Sequence, residues 1–182
     1  VQGIERCETG HACRIARRAF LIHHALEPVR VTQGPASFYL QRIEQVCALG
    51  DPPPQLERAR GEAMHACGDI DGALATLHAV AEHVTDPMLG GQIARNLGIM
   101  YHQRRDVAAA QQHYTRALEL HQQVDHRRGV GLAVGNLGAL AHDIGDFDRA
   151  RDHYERALND FRAVGDHRLE GIFLVNAGIL DK

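Results

Sequence analysis

Asn96-Leu97-Gly98 recurs as Asn136-Leu137-Gly138 and again as Asn176-Ala177-Gly178, with a step of 40 residues each time. Repetition at this scale constrains a fold more than any single motif, because each copy must adopt the same supersecondary unit. Between the first two copies the match is long. Arg105-Asp106, Ala110, His113-Tyr114 and Arg116-Ala117-Leu118 stand against Gly145-Asp146, Ala150, His153-Tyr154 and Arg156-Ala157-Leu158. A fainter copy lies 37 residues upstream in Gly61, Gly68-Asp69, Ala73 and Leu77. The units are therefore 54–90, 91–130 and 131–170, followed by a truncated repeat or terminal helix over 171–182.

Each unit reads as two helices. Asp69, Asp106 and Asp146 each precede an apolar-periodic run. An Asp at that place can accept hydrogen bonds from the unpaired N–H groups of the next helix. Phe147, Ala150, Tyr154, Ala157 and Leu158 share one stripe, and Val134, Leu137, Gly138 and Ala141 share another on the preceding helix. Gly61, Gly98 and Gly138 let the paired helix approach closely. Such a pair cannot bury its own apolar face, but a stack of pairs can. The fold class expected is an all-α solenoid of stacked antiparallel helix pairs, with about nine helices.

The pattern resembles tetratricopeptide repeats. Counted from Gly91, Leu97-Gly98 at places seven and eight, Tyr101 at eleven, Ala110 at twenty, Tyr114 at twenty-four and Ala117 at twenty-seven fit the family signature. The 40-residue step is similar to the longer repeats of kinesin light chains, of LGN and rapsyn-type scaffolds, and of arrays attached to bacterial signalling ATPases and kinases. Residues 54–182 carry the resemblance. Ala94, Val134 and Leu174 depart from it, standing where the family often has Trp. The resemblance implies a right-handed superhelix whose first helices line a concave groove.

The first 53 residues read as a degenerate helix pair, with helices over 10–26 and 36–49; the latter places Tyr39, Ile43, Val46 and Leu49 on one stripe. Pro52-Pro53-Pro54 stops one helix and opens the next. No boundary separating two domains is visible, so one superhelical domain is expected. A start at Val1 and an end in mid-repeat are read as marks of a piece of a longer protein.

Through the resemblance, the groove-facing side chains are Arg58 and His65, then Gln92, Arg95, Asn96, Ile99 and His102, then Leu132, Asn136, Ala139 and His142, and finally Asn176. Gln55, Glu62, Gln103, Asp143, Ile172 and Ile179 also fall at groove-facing places. Asn96, Asn136 and Asn176 share the sixth place. A primary amide both donates and accepts, so a row of them suits an extended peptide backbone. The same amides could instead bond a neighbouring helix or solvent. His65, His102 and His142 share the twelfth place. One helix spacing, about 10 Å, separates adjacent members, which is too far for one metal ion with bonds of about 2.0 Å. A pH-sensitive groove, contact with acidic or aromatic partner side chains, and simple repeat copying are all open for this ladder. His113 and His153, on the second helices, are expected at the convex surface.

Other chemistries find little support. Cys7, His11 and Cys13 lie within seven residues, with His23 and His24 beyond, but match no compact metal-ligand spacing. No metal site and no cofactor are expected. The one lysine, Lys182, leaves no phosphate-binding loop, and the one serine, Ser37, sits in no nucleophile elbow. No catalytic residue is assigned. Place two holds Gln55, Gln92, Leu132 and Ile172, so the Lys of a chaperone-type carboxylate clamp is missing, although Arg58 and Arg95 could hold an acidic group.

Composition narrows the partners. A formal charge of −3 and a pI near 6.5 give no broad basic field, which argues against nucleic acid. No run approaches the ~20 apolar residues of a membrane span, and no signal peptide is visible. The four scattered cysteines read as reduced and cytoplasmic. The reading is a non-catalytic scaffold that binds a protein or peptide in its groove. The alternatives are a sensor or oligomerisation arm of a larger bacterial signalling or transcription-regulatory protein and, remotely, a metal-binding protein. The apolar face of the last helix, with Ile172, Phe173, Leu174 and Ile179, is expected to form a homodimer or to pack against the remainder of a longer protein.

Overall fold

A computed structural model describes residues 35–48, 50 and 52–178. The expected helix over 10–26, the Cys7–Cys13 cluster with His23 and His24, Leu49 and Ile179 lie outside the described residues. Among the described residues there are eight helices and no strand. They belong to two compact units, 1–80 and 81–182.

The first unit contains α1 (Ala36–Cys47), α2 (Pro54–Ala66) and α3 (Ile70–Ala81, which ends it). The stripe read from sequence is buried: Ile43 and Val46 pack on Leu56, Ala59 and Ala63 of α2. Pro53 and Pro54 open α2, where a missing N–H costs nothing. Gly61 lets α3 come close, since a Cβ there would lie 2.8 Å from Leu77. Asp69 Oδ1 accepts from the Gly72 N–H at the start of α3.

The second unit contains α4 (Pro87–Gln103), α5 (Val107–Gln123), α6 (Arg127–Asp143), α7 (Phe147–Ala163) and α8 (His167–Gly178). The first four are each 17 residues long. Three-residue turns join them, so the 40-residue repeat is two equal half-steps. Every turn closes in the same way. The second residue after the C-cap donates back to the carbonyl five residues earlier: Asp106 to Tyr101, His126 to His121, Asp146 to Ala141 and Asp166 to Phe161. This is a Schellman closure, which needs a left-handed residue just past the C-cap. Gly145 (φ +82°) and Gly165 (φ +67°) supply it in one repeat, but Arg105 (φ +62°) and Asp125 (φ +49°) must do so in the other.

In three of these turns the Asp that ends one helix also caps the next, while Asp86 caps α4 without closing a helix before it. Asp86, Asp106, Asp146 and Asp166 accept from N–H groups of the following first turn. His126, at the equivalent place before α6, makes no such bond.

The core is a repeated seam. Ala94, Ala117 and Ala133 join α4, α5 and α6. Tyr114 packs with Ala110 and Leu140, and Tyr154 joins Val134, Leu158, Phe161 and Phe173. Each tyrosine ring fills the notch left by the glycine at place eight. A Cβ on Gly98 would sit 2.5 Å from the Tyr114 ring, and one on Gly138 would sit 2.8 Å from Tyr154.

Candidate peptide-binding face

The sequence-predicted face is carried by the first helix of each repeat. In the first unit, α2 holds Arg58 and His65, both half-buried. Arg58 pairs with Glu62 one turn on.

In the second unit, α4 holds Gln92, Arg95, Asn96, Ile99 and His102, while α6 holds Leu132, Asn136, Ala139 and His142. Asn176 is half-buried on α8. Most of these side chains are half-buried. Asn96 sits deeper, only 5% exposed. Ile99 leans on the Tyr114–Leu140 cluster, and Leu132 leans on the Tyr154–Phe173 cluster. Asn136 differs from its neighbours: its Nδ2 is buried with no hydrogen-bond partner among the described residues. An amide donor held from water without an acceptor costs about 1–3 kcal/mol.

The histidine ladder is tied together across repeats. His102 Nε2 lies 3.0 Å from Asp143 Oδ2, and His142 Nδ1 lies 3.5 Å from Asp143 Oδ1. Arg105 Nη1 donates to the same Oδ2 at 3.4 Å. One carboxylate of α6 thus spans two members of the ladder that cannot share a metal ion. Burial pushes the Asp143 carboxyl up, but the hydrogen bonds from His102 and His142 and the Arg105 charge outweigh it. The carboxyl is held below its ordinary range. Among the described residues, no group of three or more His, Cys, Asp or Glu side chains could hold a metal.

Two features were not read from the sequence. His113 and His153, expected on the convex surface, are instead half-buried. His113 stacks flat on Tyr101 at 5.2 Å, and burial lowers the His153 pKa. The repeat carries both rings on the flank of the second helix, against the first helix of the same pair. The other is His121, 1% exposed, whose Nδ1 lies 3.4 Å from His126 Nδ1. Aligning the repeats would have exposed it, because His121 stands where the next copy has Phe161, and His126 where it has Asp166.

Comparison with known proteins agrees with the helical-repeat fold. Residues 91–180 match the family model described as tetratricopeptide repeat. No curated protein matches the chain. Among solved structures, BtubC (BKLC) from P. vanneervenii is similar at a TM-score of 0.61 and 19% identity, over 96% of this chain and 92% of that one. PlcR from Bacillus thuringiensis, in complex with the peptide PapR7 and DNA, is similar at a TM-score of 0.73 and 10% identity. That match covers 94% of this chain and 64% of PlcR. At these identities the likeness shows a helical-repeat fold. Among the described residues no helix is long and apolar enough to cross a membrane.

Proposed function

Residues 91–180 are tetratricopeptide repeats, and on that footing we propose that the chain is a non-catalytic, cytoplasmic interaction scaffold. It binds a peptide or partner segment along the face built by its first helices. The observation that carries this reading is the Asn136 Nδ2, a buried donor without an acceptor. It lies at the shared sixth place, on the helix whose Asp143 ties His102 to His142. The Asn136 side chain is half-buried, so on a turn of its amide toward the face a peptide carbonyl would supply the missing acceptor, and Arg95 would hold an acidic side chain of the same peptide. PlcR, whose structure holds a peptide, is a fold-level parallel.

Peptides selected against the wild-type protein from a random displayed library test this. Asn136→Ala should weaken the selected peptides about tenfold, the worth of roughly 1.4 kcal/mol. Gln112→Ala, on the exposed face of α5, should leave them unchanged. Equal affinity for both variants would sink the groove reading.

A second reading, the oligomerisation or sensor arm of a larger bacterial signalling protein, is supported by α8. Ile172, Leu174 and Val175 there are 44%, 46% and 66% exposed. Such a face favours self-association. A concentration-independent monomer mass by light scattering would exclude the homodimer.

A further inference from the structure

Among the five Schellman turns of the described residues, four place Asp at the second residue past the C-cap: Asp69, Asp106, Asp146 and Asp166. The fifth, between α5 and α6, has His126. Its contact partner three places before the C-cap is His121, where the following repeat has Phe161. Two changes thus fall together: an aromatic core residue has become His, and a capping carboxylate has become His. The rings meet at 5.0 Å between centroids, tilted by 62°.

The site is tight. Cβ atoms built on Gly91 of α4 and Gly129 of α6 would lie 2.7 Å and 2.5 Å from the His121 ring. Both helices therefore need glycine to admit it. Where the two Nδ1 atoms meet, one can carry the proton toward the other only while the other is bare. The charged groups acting on the pair are Arg95 from α4 and Arg128 from α6, both positive, and burial lowers both ring pKa values, His121 to about 4. Asp125 and Arg127 flank His126 along the chain. Any charge on His126 would also face the positive amino end of α6.

We propose that the His121–His126 pair is an acid-labile latch. While the two rings share a single proton, it holds the start of α6 against α4 and α5. A second proton releases the turn that joins repeat 91–130 to repeat 131–170. The contact takes over the work that Asp166 does at the start of α8, where it accepts from Leu169 and is bound by Arg128 at 2.8 Å.

The test compares amide-exchange protection in the first turns of α6 (Val130) and α7 (Ala150), whose N–H groups donate to the His126 and Asp146 carbonyls, between pH 7 and pH 4.5. In the wild-type protein, protection at α6 should fall at least tenfold more than at α7. The variant H121F/H126D, which installs the pair of the following repeat, should abolish that difference. If the phenylalanine is not accommodated, histidine proton NMR of the wild-type protein answers the same question. The assigned His121 and His126 rings should titrate below 6.5, in step with the loss of α6 protection. Equal acid response at α6 and α7, or His121 and His126 both titrating at 6.5, would overturn the latch.

Discussion

Alanine at Gly98 and alanine at Gly171 are the same chemical change on two first helices, yet the structure gives them opposite signs. Gly171 lies inside α8 with open space around its Cβ position. Alanine there should gain the helix preference over glycine, about 0.8–1 kcal/mol. Gly98 gains the same preference, but its new methyl would stand 2.5 Å from Cδ1 and Cε1 of Tyr114. Carbon atoms settle at about 3.5–4.0 Å, so the ring must retreat by roughly 1 Å. Tyr114 is 1% exposed and enclosed by Ala110 and Leu140, so it has no room to do so. Overpacking of this kind costs about 1–3 kcal/mol. The balance leaves Gly98→Ala about 1 kcal/mol less stable than wild type, and about 2 kcal/mol below Gly171→Ala. For a chain of this length that gap corresponds to roughly 4–8 °C in melting temperature. Gly138→Ala, with Tyr154 at 2.8 Å, should fall between them. Circular dichroism melts of the three variants decide it. If Gly98→Ala melts above wild type as Gly171→Ala does, the notch-and-ring account of the seam is wrong.

Other perturbations have equally definite outcomes. The folded Asp143 carboxyl is held low, so its bridge stabilises fully above about pH 4 and is lost as pH falls through the depressed value. Asp143→Asn should therefore cost less than about 1 kcal/mol at pH 7, the range for exposed pairs, and progressively less in urea titrations as the pH is taken below about 4. Asp146→Ala removes the acceptor for the Arg149 N–H and should cost about 1 kcal/mol of unfolding free energy. Arg105→Gly relieves a left-handed non-glycine residue at φ +62° and should raise the urea midpoint by the equivalent of roughly 0.5–1 kcal/mol. Gly145→Arg should lower it.

What could be read beforehand follows from what repetition records. The capping aspartates, the close glycines and the helix pairs are local rules copied with each repeat, so Asp69, Asp106, Gly61, Gly98 and Gly138 declared themselves. Asp143 was legible as a face residue but not as a bridge. Its reach to His102 depends on how two first helices lie side by side, which spacing within one helix does not encode. His121 escaped for the opposite reason. It is a departure from the repeat, visible only when the copies are compared for their differences, and a histidine count alone assigns it to the surface. The depth of Asn96 is likewise a property of the stack.

The equal lengths of α4 to α7 and of the turns between them bear on how this chain can gain or lose sequence. A helix of 17 residues plus a turn of three fixes a half-step of 20. Inserting 20 residues would put a second helix where a first is required and leave the notches at Gly98 or Gly138 facing the wrong rings. Each notch and its ring lie 16 residues apart inside one pair, Gly98 with Tyr114 and Gly138 with Tyr154, so a residue inserted between them turns the ring away, while a complete pair can be duplicated or excised without disturbing the notches of the others.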